Sequence, residues 1–119
     1  VPAIVMVFLL RRIGEGRARQ LLLGAPIISS TEALEIGLVN FVVEQKDLPA
    51  SVTEFAGQLV ANNSPYAMSV TKQLISKVQS LPLEEALTLA SEMNAKARGS
   101  DDCRKGINAF LNKEKIDWR

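Results

Sequence analysis

Ile28-Ser29-Ser30-Thr31-Glu32-Ala33-Leu34-Glu35-Ile36-Gly37-Leu38-Val39-Asn40 is the stretch from which the rest of the chain can be read. Ser29 and Glu32 stand at capping-box spacing. The serine oxygen can accept from the backbone N–H three residues on, and the glutamate can reach back to the serine's own N–H. The spacing predicts a short helix ending at Ile36, where Gly37 supplies a left-handed exit that side chains resist. Leu38-Val39-Asn40-Phe41-Val42-Val43 is rich in β-branched residues and predicts one short strand over 38–43.

Upstream, Gly24-Ala25-Pro26 closes a helix over Glu15 to Leu23, in which Ala18, Leu21 and Leu22 share a face. Before it, Ala3 to Arg12 reads as a first helix that stops near Gly14. Its run Ala3-Ile4-Val5-Met6-Val7-Phe8-Leu9-Leu10 is too short to span a bilayer. Arg11-Arg12 follow the run instead of preceding it, and no small-residue cleavage site comes after, so a secretory signal is not expected. The segment reads as a helix made to be covered, with its partner surface outside these 119 residues.

Downstream, three helices carry their own start signals. Asp47-Leu48-Pro49 opens one with Val52, Phe55, Ala56, Leu59 and Val60 on a face. Ser64-Pro65 is an N-cap followed by proline at the first helical position, with Met68, Thr71, Leu74, Ile75 and Val78 as the inward stripe. Leu81-Pro82 precedes a helix that aligns Leu83, Ala86, Leu87, Ala90, Met93 and Ala97 and ends at Gly99. Ser100 caps a last helix carrying Cys103, Ile107, Phe110 and Leu111. The organisation is mainly α and a single unit over 1–119.

Composition excludes much chemistry. With 47% apolar and 23% charged residues, the chain is globular in type. A formal net charge of +1 leaves no field to steer a polyanion, so no nucleic-acid partner is expected. The absence of histidine removes His-based triads, bases and metal sites. The single cysteine, Cys103, permits no intrachain disulfide and points to a reducing compartment, cytoplasmic or, in a eukaryote, the mitochondrial matrix. On its helix it reads as a small core residue.

Candidate chemical groups are few. Glu84-Glu85 and Asp101-Asp102 are neighbours whose side chains diverge by about 100° on a helix, and both pairs sit where the helix dipole favours acids. Arg11, Arg12, Arg17 and Arg19 read as a solvated surface. Lys113 and Lys115 near Phe110 and Trp118 form a more suggestive group, a cation beside aromatics that could hold a phosphate. On sequence alone the favoured reading there is a solvated tail with two anchoring aromatics. No phosphate loop, metal spacing or nucleophile–base pair is present, so neither a catalytic residue nor a metal ligand is expected in this chain.

Several segments in register resemble the C-terminal portion of the crotonase superfamily (enoyl-CoA hydratase/isomerase). They are Leu10-Arg11-Arg12-Ile13-Gly14 with Leu21-Leu22-Leu23; Ile28 to Ala33 followed by Gly37-Leu38-Val39-Asn40; Asn63-Ser64-Pro65 with Thr71-Lys72; and Asp101-Asp102 with Gly106-Ile107 and Phe110-Leu111-x-Lys113. The resemblance implies the helical, oligomerisation part of the crotonase (ClpP/crotonase-like) α/β fold, with the N-terminal spiral core outside it. It implies a lyase-type enzyme that hydrates 2-enoyl-CoA through an oxyanion-stabilised enolate. In the family the oxyanion donors and both catalytic glutamates map upstream of Val1, so this chain alone is expected to be inactive.

For this chain the resemblance implies substrate contacts at Lys113, toward the CoA phosphate, and at Phe110, near the acyl pocket. It further implies acyl-CoA as partner, coenzyme A as part of the substrate with no separate cofactor, and a trimer or dimer of trimers. Departures concern the substrate. Pro2-Ala3-Ile4-Val5-Met6-Val7 stands where hydratases have a glycine-rich stretch, and Glu114 and Ile116 replace a basic residue and a proline. A helical self-association module without catalysis is the alternative.

Overall fold

The computed structural model describes residues 1–118. It contains six α-helices and no strand among those residues, in two compact units, 1–49 and 50–119. In the first unit, α1 (Ala3–Gly24) is broken at Gly14, where φ 77° and ψ 164° leave the helical region. Only glycine holds that backbone without cost, so the stop expected near Gly14 is a break between two helical halves. In the second half the small Ala18 is fully buried, with Leu21 and Leu22 half-buried beside it in sequence. The apolar first half is open instead: Ile4 is 83% and Phe8 64% exposed.

α2 (Ser30–Glu35) starts from a complete capping box. Ser29 Oγ accepts from the Glu32 N–H at 3.1 Å, while the Ser29 N–H and Oγ–H both donate to Glu32 Oε2, at 2.7 and 2.8 Å. Those two donors, the backbone one foremost, hold the Glu32 carboxyl below its ordinary value of 4.5.

The helix exits through Gly37 at φ 75°. The Gly37 N–H returns to the Leu34 carbonyl at 3.0 Å and the Leu38 N–H to the Ala33 carbonyl at 2.8 Å, the double bond pattern of a Schellman closure. The Val39 N–H also turns back to Ala33, at 3.2 Å. This overturns the strand expected over 38–43, which is instead a turn and irregular chain leading to a 3-10 turn at Gln45–Asp47. Leu38 and Val39 spend their donors on closing a helix, and β-branched residues become a strand only where a neighbouring strand offers a ladder.

In the second unit, α5 (Leu83–Arg98) packs against both α4 (Pro65–Val78) and α6 (Asp101–Asn112). The inward stripe of α4 is half-buried at Met68, Leu74 and Val78, and that of α5 at Ala86, Ala90, Met93 and Ala97. Small side chains on α5 let helices approach, whereas Leu83 and Leu87 on its flank stay exposed. The division falls close to the start of α3 (Leu48–Asn62), whose Val52, Phe55, Leu59 and Val60 are all exposed. No helix among the described residues is long and apolar enough to cross a membrane.

Candidate functional site

α6 and the tail that follows it carry the residues singled out from the sequence. Ser100 caps the helix, accepting from the Cys103 N–H at 3.1 Å and donating to the Ala97 carbonyl at 2.7 Å. Asp101 and Asp102 occupy the first turn and part company there. Asp101 accepts from Arg104, while Asp102 Oδ2 accepts from Ser64 Oγ at the start of α4. Ser64 is only 7% exposed, and its oxygen also accepts from the Ala67 N–H at 2.9 Å. The N-cap of one helix is thus fastened to the first turn of another.

At the far end of α6, Lys113 is the capping residue, with φ 58° and ψ 35°. Its N–H donates to the Phe110 carbonyl at 3.2 Å, and the Glu114 N–H donates to that of Ala109 at 2.9 Å. Phe110 is 83% exposed, and Lys113 is exposed as well. Among the described residues the ring is left uncovered, and of the two tail aromatics only Trp118 is half-buried. An uncovered aromatic three residues before an exposed ammonium, on the last turn of a helix, can offer an apolar surface and a cation to one ligand.

Trp118 lies against α6. A Cβ placed on Gly106 would stand 3.5 Å from its Cη2. The ammonium beside this ring is that of Lys105, 5.5 Å from the ring centroid, and the same Nζ donates to the Asp117 carbonyl. The indole also walls a groove of about 460 Å³ with Ser64, Asn63, Cys103 and Ile107. Sequence reasoning coupled Trp118 with Lys113 and Lys115 and passed over Lys105; the usable signal was Gly106, a bare position one turn before Phe110 where a ring can lie flat.

Two of the four arginines are engaged separately. Arg12 donates to Asn40 Oδ1 at 2.9 Å, and Arg19 pairs with Glu15 at 2.7 Å one turn away. Among the described residues no three His, Cys, Asp or Glu side chains are grouped to hold a metal ion.

Comparison with known proteins places the chain in a family. The family model described as enoyl-CoA hydratase/isomerase matches residues 1–119. A short-chain-enoyl-CoA hydratase of Clostridium acetobutylicum is 37% identical over 107 residues, covering 90% of this chain and 41% of that protein. Among solved structures, an enoyl-CoA hydratase of Geobacillus kaustophilus superposes with a TM-score of 0.84 at 35% identity, covering 93% of this chain and 42% of the other. One from Bacillus anthracis gives 0.82 at 31% identity, covering 93% and 43%. The chain thus spans about two-fifths of the length of the proteins it matches.

Proposed function

Because this chain belongs to the enoyl-CoA hydratase/isomerase family, we propose that it works as the downstream, helical part of an enzyme acting on acyl-CoA thioesters. The family match over residues 1–119 carries the reading. In it, the intact protein hydrates a 2-enoyl-CoA through an enolate held by backbone N–H donors, and those donors and the acid–base groups come from outside these residues. The part played here is to hold the substrate: Lys113 meets a CoA phosphate, and Phe110 lies near the acyl pocket. A protruding ammonium reaches a phosphate without burying itself, which suits a contact made by Lys and avoids desolvation cost.

The open apolar faces of α1 and α3, with Ile107 and Leu111 on α6, are the proposed contacts with the rest of the enzyme and with other subunits. Exposed apolar surface of this kind costs solvation until it is covered. Two measurements test the reading. The 119-residue protein is expected to bind coenzyme A by titration calorimetry yet leave crotonyl-CoA unhydrated above background. Robust turnover by the mass-verified chain would overturn the non-catalytic assignment, and unchanged CoA binding in Lys113→Ala would remove the phosphate contact.

A further inference from the structure

Lys113 is one of two non-glycine residues with positive φ among those described. An L side chain rarely adopts that backbone unless its surroundings impose it. Its own N–H and that of Glu114 close the helix end onto Phe110 and Ala109, but such closures fray when the chain beyond them is loose. Here the chain beyond is tied back: within five residues it returns to α6, where the Asp117 carbonyl accepts from Lys105 and the Trp118 ring lies over Gly106 beneath the same ammonium. The 5.5 Å separation is within reach of a cation–π attraction. Alanine at position 106 would just touch the ring, and a longer side chain would displace it.

We propose that Trp118 is a positioning residue for Lys113: its clamp on Lys105 and Gly106 fixes the left-handed turn at the end of α6, and with it the direction in which the Lys113 ammonium meets the phosphates of coenzyme A. This rests on the CoA reading above. The role requires no ligand contact from Trp118, whose ring rests against α6 at Gly106. Its effect is carried by the geometry of the five-residue return.

The test is titration of coenzyme A against the full 119-residue protein and its variants at two ionic strengths. Lys113→Ala, Trp118→Ala and Lys105→Met are each expected to weaken binding about tenfold, equivalent to about 1.4 kcal/mol, and to flatten its salt dependence, since the lost contact is ionic. Trp118→Phe is expected to restore most of the affinity. Trp118→Ala added to Lys113→Ala should cost nothing more.

Wild-type affinity in Trp118→Ala, beside a weakened Lys113→Ala, overturns the positioning role and leaves the CoA reading intact. Additive losses in the double variant also overturn it. Unchanged binding in Lys113→Ala, or no binding by the wild type, overturns the CoA reading and this one with it. Because Trp118 is the sole tryptophan, acrylamide quenching of its fluorescence reports the clamp without ligand. Lys105→Met should raise the quenching at unchanged helix content, and an unmoved quenching constant would show that no clamp exists.

Discussion

Replacing Ser64 with alanine removes two hydrogen bonds through a single oxygen. Ser64 is 7% exposed, and its hydroxyl accepts from the Ala67 N–H at 2.9 Å and donates to Asp102 across 38 residues of sequence. Loss of an N-cap of this type costs about 1 kcal/mol. The bond to Asp102 involves a charged acceptor, worth about 1.5–3 kcal/mol when dry. Asp102 is only half-buried, so water recovers part of it and about 1 kcal/mol remains. Ser64→Ala should therefore destabilise the unit spanning 50–119 by about 2 kcal/mol. Asp102→Ala keeps the cap and should cost about 1–1.5 kcal/mol, including its favourable place in the first turn of α6. The double variant should fall short of the sum by about 1 kcal/mol, the coupling between the two side chains. Urea unfolding followed by Trp118 fluorescence reads this unit specifically, since its one tryptophan is also the only one in the chain. Ser64→Thr, which keeps the hydroxyl, should stay within about 0.5 kcal/mol of wild type. A coupling below about 0.3 kcal/mol would refute the reasoning, because the two helices would then not be fastened through this pair.

Three further outcomes are expected. Glu32 titrates below its ordinary 4.5 because Ser29 donates twice to the ionised form. Its support of α2 is accordingly complete above that value and is lost as pH falls through the lowered one. Carbon-detected NMR should show this, with Ser29→Ala restoring the value only in part, since the backbone donor remains. Gly14→Ala puts a Cβ on a backbone at φ 77° and should destabilise the unit spanning 1–49 by about 1–3 kcal/mol, seen as a lowered denaturation midpoint. Lys113→Gly relieves the left-handed turn at φ 58° and should raise stability by about 0.5 kcal/mol after the extra freedom of the unfolded glycine is counted. The same variant should bind coenzyme A more weakly, so stability and affinity move in opposite directions.

Relations within about four residues were legible from sequence. Ser29 with Glu32, Gly37, and Ser64 before Pro65 all sit in the structure as their spacing indicates, because each is satisfied by the backbone of its own turn. The break at Gly14 and the N-cap of α6 at Ser100 follow from the same local rules. The helical fold class and the family likewise came from motifs in register, and the matches over 1–119 bear them out.

The errors and omissions arose where the outcome depends on a partner beyond the local turn, present or missing. Residues 38–43 have the side chains of a strand, but no described strand pairs with them, and the Leu38 donor goes to Ala33. Asp102 read as a dipole-favoured acid and is also the anchor of Ser64. Trp118 read with Lys113 and is instead held by Lys105. By itself, then, the sequence determined where helices start, stop and turn, since those terms are local and repeat in every context. Only the tertiary structure decided which helix ends are tied together, and how the turn bearing Lys113 is held. Those depend on which side chains meet across intervening helices and turns, and spacing along the chain does not encode that meeting.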